Sequence, residues 1–523
     1  MTEYIDLPPS LRKRFYEPVI LSDALKSLFR REGWTAEPDL EAGVGKSPQQ
    51  IYYCFLNKLS QICDNLPHTE LAKTVSAIVA LDSGTIEYRF ASNQRDNHEL
   101  ATVREYLTDI LNILGQVTDD EANDRTHMAD ILSIILRKVL AFNRPRVEGY
   151  LEDLCRRANL AFCITSSAAD SSAEGQDAFL SLQSLEPQVE AARNASPTND
   201  EEFARHSEAL LQTLAKDYGR SLEEYMKKKT RGDNTVSDSP WGDVRHSLGR
   251  LLSYFIAIKV LISARNYWPQ LFVDFEVTTI PSSVPLPEPP SIRRSAVGII
   301  SRMSRNKSTL NAYQHLISSL QAHDFDKRIK DRVHPSHFRP IVHAEVNLLA
   351  SVIRSQAECD EDDEAPRFFN EARFGRYIGS SKPTCLLCHL YFSLHPLGVK
   401  CRETHGNLYP NWRAPDVTVA DGEEAEEQRR EILEGMIKEI RKETARAIEE
   451  RSSQSQSKET TPKKESGLGQ IAKVKLAERV VQNSYDAGAV KAQTGGLRKP
   501  SPEKPESGDD EVEEDDEGGG ARL

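Results

Sequence analysis

The sequence predicts an α/β core, a mixed sheet with helices on its faces, joined to a large all-helical N-terminal region or insertion and ending in a disordered C-terminal tail. Three observations predict it. Two β-rich runs flank a turn at 75–90 and stand almost alone among helical patterns. Two further segments, each opening on metal-ligand residue types, lead into apolar helical stripes, and a short apolar run at Tyr377-Ile378-Gly379 precedes the second. Past Arg451 bulky apolar residues become scarce while Ser, Lys, Gly and Glu accumulate.

Length and composition set the limits. A chain of 523 residues with 38% hydrophobic content and net charge −13 can bury a substantial core, yet is polar enough to contain disordered segments. Its eight cysteines form no closely spaced framework, and the N-terminus lacks a signal-peptide pattern. An intracellular, reducing compartment, cytoplasmic or nuclear, is therefore expected. No run reaches the ~18 apolar residues that span a bilayer, so no membrane association is expected. The most apolar stretch, Leu251 to Ile262, is short, carries Lys259, and reads as a core helix.

Residues 1–73 read as helical, with helices at Leu21 to Phe29 and Ile51 to Cys63 separated by breakers at Pro8-Pro9 and Gly43 to Ser47. Cys54 and Cys63 lie among apolar residues and read as buried thiols. Residues 74–93 form a hairpin: Val75 to Leu81, a turn at Asp82-Ser83-Gly84, then Ile86, Tyr88 and Phe90 alternating with Glu87 and Arg89. Residues 94–280 are mostly helical. Leu100, Val103, Leu107, Ile110, Leu111 and Leu114 keep helical spacing, as do the apolar positions of 128–142, 151–162, 203–218 and 244–264, while 164–176 reads as loop. Lys227-Lys228-Lys229 reads as a solvated helix end. Alternation at Val273, Phe275, Val277 and Thr279 suggests a strand.

Residues 281–334 comprise a proline-rich linker and a helix. Five of the ten residues Pro281 to Pro290 are proline, an extended, stiff spacer. The basic stretch Ser291 to Lys307 reads as a solvated face, with phosphate contact as the alternative, and a helix follows near Leu310 to Leu320. Residues 335–418 hold the candidate catalytic core. Within 419–452, a highly charged helix carries Ile432, Leu433, Met436, Ile437, Ile440 and Ile448 as a stripe to dock on the core or on a partner helix. Residues 453–523 are the disordered tail, ending in a block, Asp509 to Glu517, with eight acids in nine residues. Protein partners are expected through the helical region and this acidic tail.

The site chemistry lies between Ile341 and Cys388. Zinc prefers nitrogen and sulfur ligands, and catalytic sites keep three protein ligands with one open position. His343, Cys385 and Cys388 supply such a set. Residues two apart on a helix do not share a face, so His343 and Glu345 can address one ion only if His343 sits at the helix N-terminus. Val346, Leu349, Ala350 and Ile353, widened by Leu348 and Val352, make that helix amphipathic. Cys385 and Cys388 share a face at the start of a second helix running through Leu390, Tyr391, Phe392 and Leu394. Glu345, not needed as a ligand, is free to shuttle protons. Two alternatives stand beside this. The cysteine pair could be half of a closed structural zinc site, completed by Cys401, His389, His395 or His405. It could also be a redox pair, although the rest of a thioredoxin-like pattern is absent.

The stretch Val342-His343-Ala344-Glu345 with Pro383-Thr384-Cys385-Leu386-Leu387-Cys388 resembles the zinc-dependent nucleic acid/nucleotide (cytidine) deaminase superfamily. The flanking Ile378 to Lys382 and Thr404 to Trp412 are similar to a little-characterised branch abundant in filamentous fungi. The resemblance implies His343, Cys385 and Cys388 as Zn2+ ligands, Glu345 as the catalytic proton shuttle, metal-bound hydroxide as nucleophile and a nucleobase-containing substrate. It also implies a β-hairpin before the His-x-Glu helix whose second strand leads to a substrate-contacting asparagine. Here that assigns 74–93 to the catalytic sheet, makes about 97–335 an insertion, and makes Asn93 a candidate; the alternative is that the hairpin packs on the helical region and Asn93 caps the helix that follows it. His405 and Trp412 are further substrate-binding candidates, with a turn and core packing as their respective alternatives. Thr384 stands between proline and cysteine where the superfamily usually has none, and an acidic insertion, Glu358 to Glu364, lengthens the gap. The rival function is a catalytically inactive scaffold with structural zinc, acting in protein or nucleic-acid interaction.

Overall fold

The alternating residues of 76–92 form a hairpin whose two faces are both covered. Strand β1 (Ser76–Asp82) pairs antiparallel with β2 (Ile86–Ser92), Ser76 opposite Ser92 and Asp82 opposite Ile86. The turn between them needs a left-handed residue, supplied by Gly84 at φ +90°. In this computed structural model the described residues are 4–28, 47–67, 73, 75–167, 173–217, 222–231, 240–286, 291–303, 307–321, 324–359 and 365–458. All of them belong to one unit, residues 1–465.

The hairpin is the centre of a six-stranded mixed sheet. Strand β3 (Phe275–Ile280) runs parallel to β2. On the other side, β4 (Arg367–Phe368) and β5 (Tyr377–Ser380) both pair antiparallel with β1, and β6 (Lys400–Cys401) runs parallel to β5. The strand order is β3-β2-β1-β5-β6. The strand read at 273–279 is thus an edge of this sheet, and β6 is the opposite edge.

Period-2 alternation assigns the two faces. Ile78, Ala80, Ile86, Tyr88 and Phe90 point into one apolar core, whereas Ala77, Val79, Leu81 and Ala91 point into the other. The first core is covered by α2 (Pro48–Ile62) and by helices of the 97–267 region: α3 (Asn97–Gly115), then, after the five-residue α4 (Asp119–Asn123), which buries no side chain and packs by α5, α5 (Arg125–Phe142), α6 (Arg144–Ser167), α7 (Ala173–Ser184), α8 (Glu186–Arg193), α9 (Asp200–Asp217), α10 (Leu222–Arg231) and α11 (Pro240–Tyr267). The second is covered by α1 (Pro9–Leu28), α12 (Ala296–Ile300), α13 (Lys307–Leu320), α14 (Phe325–Arg332), α15 (Ala344–Ala357), α17 (Leu386–Leu394) and α18 (Gly422–Lys458), while the short α16 (Glu371–Phe374) packs by α2. Burying each large apolar side chain of such a core contributes about 1.5–3 kcal/mol.

Several boundaries differ from the sequence expectation for local reasons. Helix α1 starts at Pro9, because proline is tolerated in a first turn whose N–H groups have no helical partner. Residues 164–167 continue α6, 168–172 lie outside the described residues, and α7 begins at Ala173. The apolar stretch at 251–262 is part of a 28-residue helix, α11, not a short one. By length and composition alone its Trp241–Tyr267 segment could cross a membrane, but Val244, Leu248, Leu251, Ile258 and Leu261 are buried in the first core. The ammonium of Lys259 lies over the Phe255 ring. Helix α18 runs past Arg451 to Lys458; residues 459–523, with the acidic block, lie outside the described residues. Its stripe of Ile432, Leu433, Met436, Ile437 and Ile440 is buried against α1 and α17, so it docks within this chain. Cys54 and Cys63 are buried free thiols, and every cysteine with a described side chain is free.

The proline-rich segment is not a free spacer over its described part, 281–286. Ser282 donates its hydroxyl to the Ser92 carbonyl (2.9 Å), and Ser283 Oγ accepts from the Val342 N–H (3.0 Å) and from Arg413. It clamps the end of the hairpin to the chain entering α15. Residues 287–290 and most of the acidic insertion, 360–364, lie outside the described residues.

Candidate metal centre and active site

Two helix N-termini meet at the end of the sheet where β2 and β5 finish. His343 is the N-cap residue of α15, in extended conformation, and makes no side-chain cap hydrogen bond. The cap comes from elsewhere: Asn93 Oδ1 accepts the Ala344 N–H at 2.8 Å from 251 positions earlier in the chain. That leaves the His343 imidazole available to face inward. Cys385 is likewise the N-cap of α17, its sulfur accepting the Cys388 N–H at 3.4 Å. The pair therefore straddles the helix start, since N-cap and N3 face the same end.

The ligand atoms of His343, Cys385 and Cys388 lie within 4.8 Å of one another. His343 Nδ1 is 3.6 Å from Cys385 Sγ and 3.4 Å from Cys388 Sγ. Metal–nitrogen and metal–sulfur bonds of about 2.0 and 2.3 Å at a tetrahedral angle give an N···S edge of about 3.5 Å, so the donor set fits a zinc-sized ion. Cys401, His389, His395 and His405 do not join this group among the described residues. Cys385 and Cys388 are buried and His343 partly so. Burial opposes ionisation of Cys385, but the hydrogen bonds from Cys388 and the adjacent His343 outweigh it and hold this thiol well below the ordinary cysteine range. Burial and the neighbouring Cys385 sulfur push Cys388 up instead. A cation held by both sulfurs would keep both as thiolates.

Glu345 is 2% exposed. Its Oε1 accepts a hydrogen bond from Ser380 Oγ (3.0 Å), and its Oε2 is 3.8 Å from Cys388 Sγ. Burial raises its pKa above the ordinary glutamate value, against the opposing pull of His343 and Ser380; a cation in the three-donor site would add to that pull.

Sequence reasoning missed the residues that hold this arrangement. Ser380 is the last residue of β5, and Asn57 Oδ1 accepts its backbone N–H at 3.0 Å while also engaging the Tyr377 hydroxyl. The available signal was Asn57 itself, an amide directly after the apolar run Ile51 to Leu56. Gly379 lets α2 come this close: a Cβ there would lie 2.5 Å from the Leu56 carbonyl carbon. Thr384, the departure from the superfamily pattern, donates its N–H to Glu403 O (3.1 Å) and its hydroxyl to Arg402 O (2.9 Å), tying the cysteine loop to the segment after β6. Proline has no N–H for the first of these.

The substrate-contact candidates separate. Asn93 is buried at the mouth of α15 as the cap just described. His405 sits in a turn with Gly406 at φ +68°, its Nδ1 accepting the Asn407 N–H, close enough to feel the Cys385 charge. Trp412 is 0% exposed, packed between Phe15 and Tyr391, so neither face of its ring is open to a base. Its use is core packing, as its place opposite Ile341 in a short bridge explains. His334 and His337 are exposed in a turn and pair with each other.

Residues 342–416 match a family model described as an OTT_1508_deam-like deaminase. Neither a curated protein nor a solved structure matches the chain.

Proposed function

We propose that this protein is a zinc-dependent hydrolytic deaminase acting on the exocyclic amine of a nucleobase in a nucleoside, nucleotide or nucleic acid. The observation that carries the reading is the convergence of His343 Nδ1 with two cysteine sulfurs at tetrahedral-edge spacing, beside a buried carboxylate left out of the donor set. The match of 342–416 to a deaminase family model supports it. His343, Cys385 and Cys388 would hold the ion. Bound there, zinc would supply a water acidic enough to ionise near neutral pH.

The chain's own residues do the rest. Ser380 occupies Glu345 Oε1, which leaves Oε2 to take the proton from water and later to give one to the leaving amine. The water oxygen adds to the amidine carbon, the C–N bond breaks, and ammonia departs carrying the proton that Glu345 returned. Packing of α15 and α17 against the sheet keeps bulk water from the buried carboxylate, so its proton goes to the substrate nitrogen.

The test is metal content and ammonia release together. Wild type purified without added metal should carry about one zinc per chain, and Cys385→Ser should lose it. Glu345→Gln should keep zinc and fold while losing ammonia release by about 10²–10⁴-fold. A zinc-free, well-folded wild type would sink the reading. Zinc without turnover on any nucleobase substrate would leave the inactive scaffold in its place.

A further inference from the structure

A cavity of about 40 Å³ lies between α1, α18 and the segment that follows Trp412. Neither Glu345 nor any of the three metal donors lines it. Its walls mix two chemistries. Leu7, Leu11, Phe15 and Leu433 are apolar, while Arg12, Arg413 and Arg429 carry guanidinium groups. Two of those cations have acidic partners. Arg413 spans both oxygens of Asp416 and also donates to Ser283 Oγ and Val284 O. Arg12 lies 3.6 Å from Asp6. Arg429 differs. It is 7% exposed, and its guanidinium makes one hydrogen bond among the described residues, from Nη2 to Ile5 O at 2.9 Å. Among the described residues no carboxylate comes within ion-pair distance of it. Glu426, Asp416 and Asp6 act on it only from further off.

A guanidinium offers five N–H donors in a rigid fork and stays protonated at neutral pH. Arg429 uses one of them on a carbonyl oxygen, and its Nε is buried without a hydrogen-bond partner, as is that of Arg413. A buried cation without a close counter-charge is costly. Here it borders empty space rather than packed protein. The cavity has room for more than one water, yet is well short of the about 150 Å³ that takes up benzene. It suits a small anion. Asp6 and Asp416 on the same walls would repel a second negative charge, which favours a monoanion over dianionic phosphate. The apolar side chains favour one that carries a short alkyl group.

We propose that this cavity is a binding site for a short-chain aliphatic monocarboxylate, whose carboxylate pairs with the Arg429 guanidinium and whose alkyl end lies against Leu11, Phe15 and Leu433. The carboxylate supplies the close negative charge that Arg429 lacks, and guanidinium–carboxylate hydrogen bonds are of the strong, charge-assisted kind. The site is separate from the metal centre and does not depend on the deaminase reading.

The experiment is ligand-observed NMR titration of the full chain, which reads weak binding from the signals of the probe itself. The probes are acetate, propanoate and butanoate at neutral pH and constant ionic strength. Propanamide is the uncharged match, and inorganic phosphate is the competitor. Wild type should bind propanoate saturably and about ten-fold or more tighter than propanamide, and phosphate at equal concentration should not displace it. Arg429→Gln keeps a polar side chain and drops the charge; it should weaken propanoate about ten- to a hundred-fold. Arg14→Gln, an exposed arginine of α1 that pairs with Glu434, should leave binding unchanged. No saturable binding, equal binding of propanoate and propanamide, displacement by equimolar phosphate, or undiminished binding by folded Arg429→Gln each overturns the proposal. The wild-type comparison of propanoate with propanamide decides even if Arg429→Gln fails to fold. Ammonia release plays no part in the readout, so the site stands or falls apart from the deaminase reading.

Discussion

Gly379→Ala puts a single methyl group between α2 and β5, where the two backbones already touch. The new Cβ would lie 2.5 Å from the Leu56 carbonyl carbon and 2.6 Å from its oxygen and Cβ. Ordinary carbon contacts are about 3.5–4.0 Å, so helix and strand must part by about 1 Å. Leu56 is backbone in mid-helix and has no flexible end to yield. Overpacking of this kind costs about 1–3 kcal/mol. The retreat of α2 also carries Asn57 away from the Ser380 N–H and the Tyr377 hydroxyl, and a buried donor left unsatisfied costs about 1–3 kcal/mol more. The expected loss is therefore about 2–6 kcal/mol, read as a lower urea midpoint. Gly249→Ala is the control: it lies in α11 with nothing within 4 Å of a new Cβ, and should be neutral or stabilising by up to about 1 kcal/mol. A Gly379→Ala midpoint matching that of Gly249→Ala would refute the claim that this close approach holds α2 against the strand that carries Ser380.

Two further outcomes follow from the same geometry. Thr384→Pro brings the cysteine motif closer to the superfamily's usual pattern, yet it removes the N–H bonded to Glu403 O and should destabilise by about 1–3 kcal/mol in denaturant unfolding, with weaker zinc retention; a variant as stable as wild type would contradict it. For Lys382, whose folded pKa of about 8 lies below the unfolded value of about 10.4, the unfolded chain binds more protons between those values. Burial causes that depression against the pull of Asp64, so stability should rise with pH across that window relative to Lys382→Met. Parallel wild-type and variant curves would refute the burial argument.

Much of this arrangement was legible because it is local. The hairpin shows in alternation and a Gly84 turn, and the two ligand-bearing helices show in their stripes, since helical and strand periods record which face will be covered. The spacing of His343 and Glu345 even called for the histidine at the helix N-terminus, and it stands there as the N-cap residue while Asn93 supplies the capping bond. The notation of faces says nothing about which partner covers them. Phe275 to Ile280 reads as an isolated strand until β2 lies beside it. Trp412 is suited by its chemistry to a base and to a core alike, and only Phe15 and Tyr391 closing on it decide for the core.

The sequence by itself determined the donor types, their placement at helix starts, and a carboxylate two residues from the histidine, because these depend on residue identity and short-range spacing. Tertiary structure alone decided that β1 pairs with β5, that Asn93 caps α15, that Asn57 and Ser380 hold Glu345 through a strand glycine, and that Lys382 shares Asp64 with Arg146. Each of these joins segments distant in the chain, and such contacts are set by how the covered faces pack together, which no local period encodes.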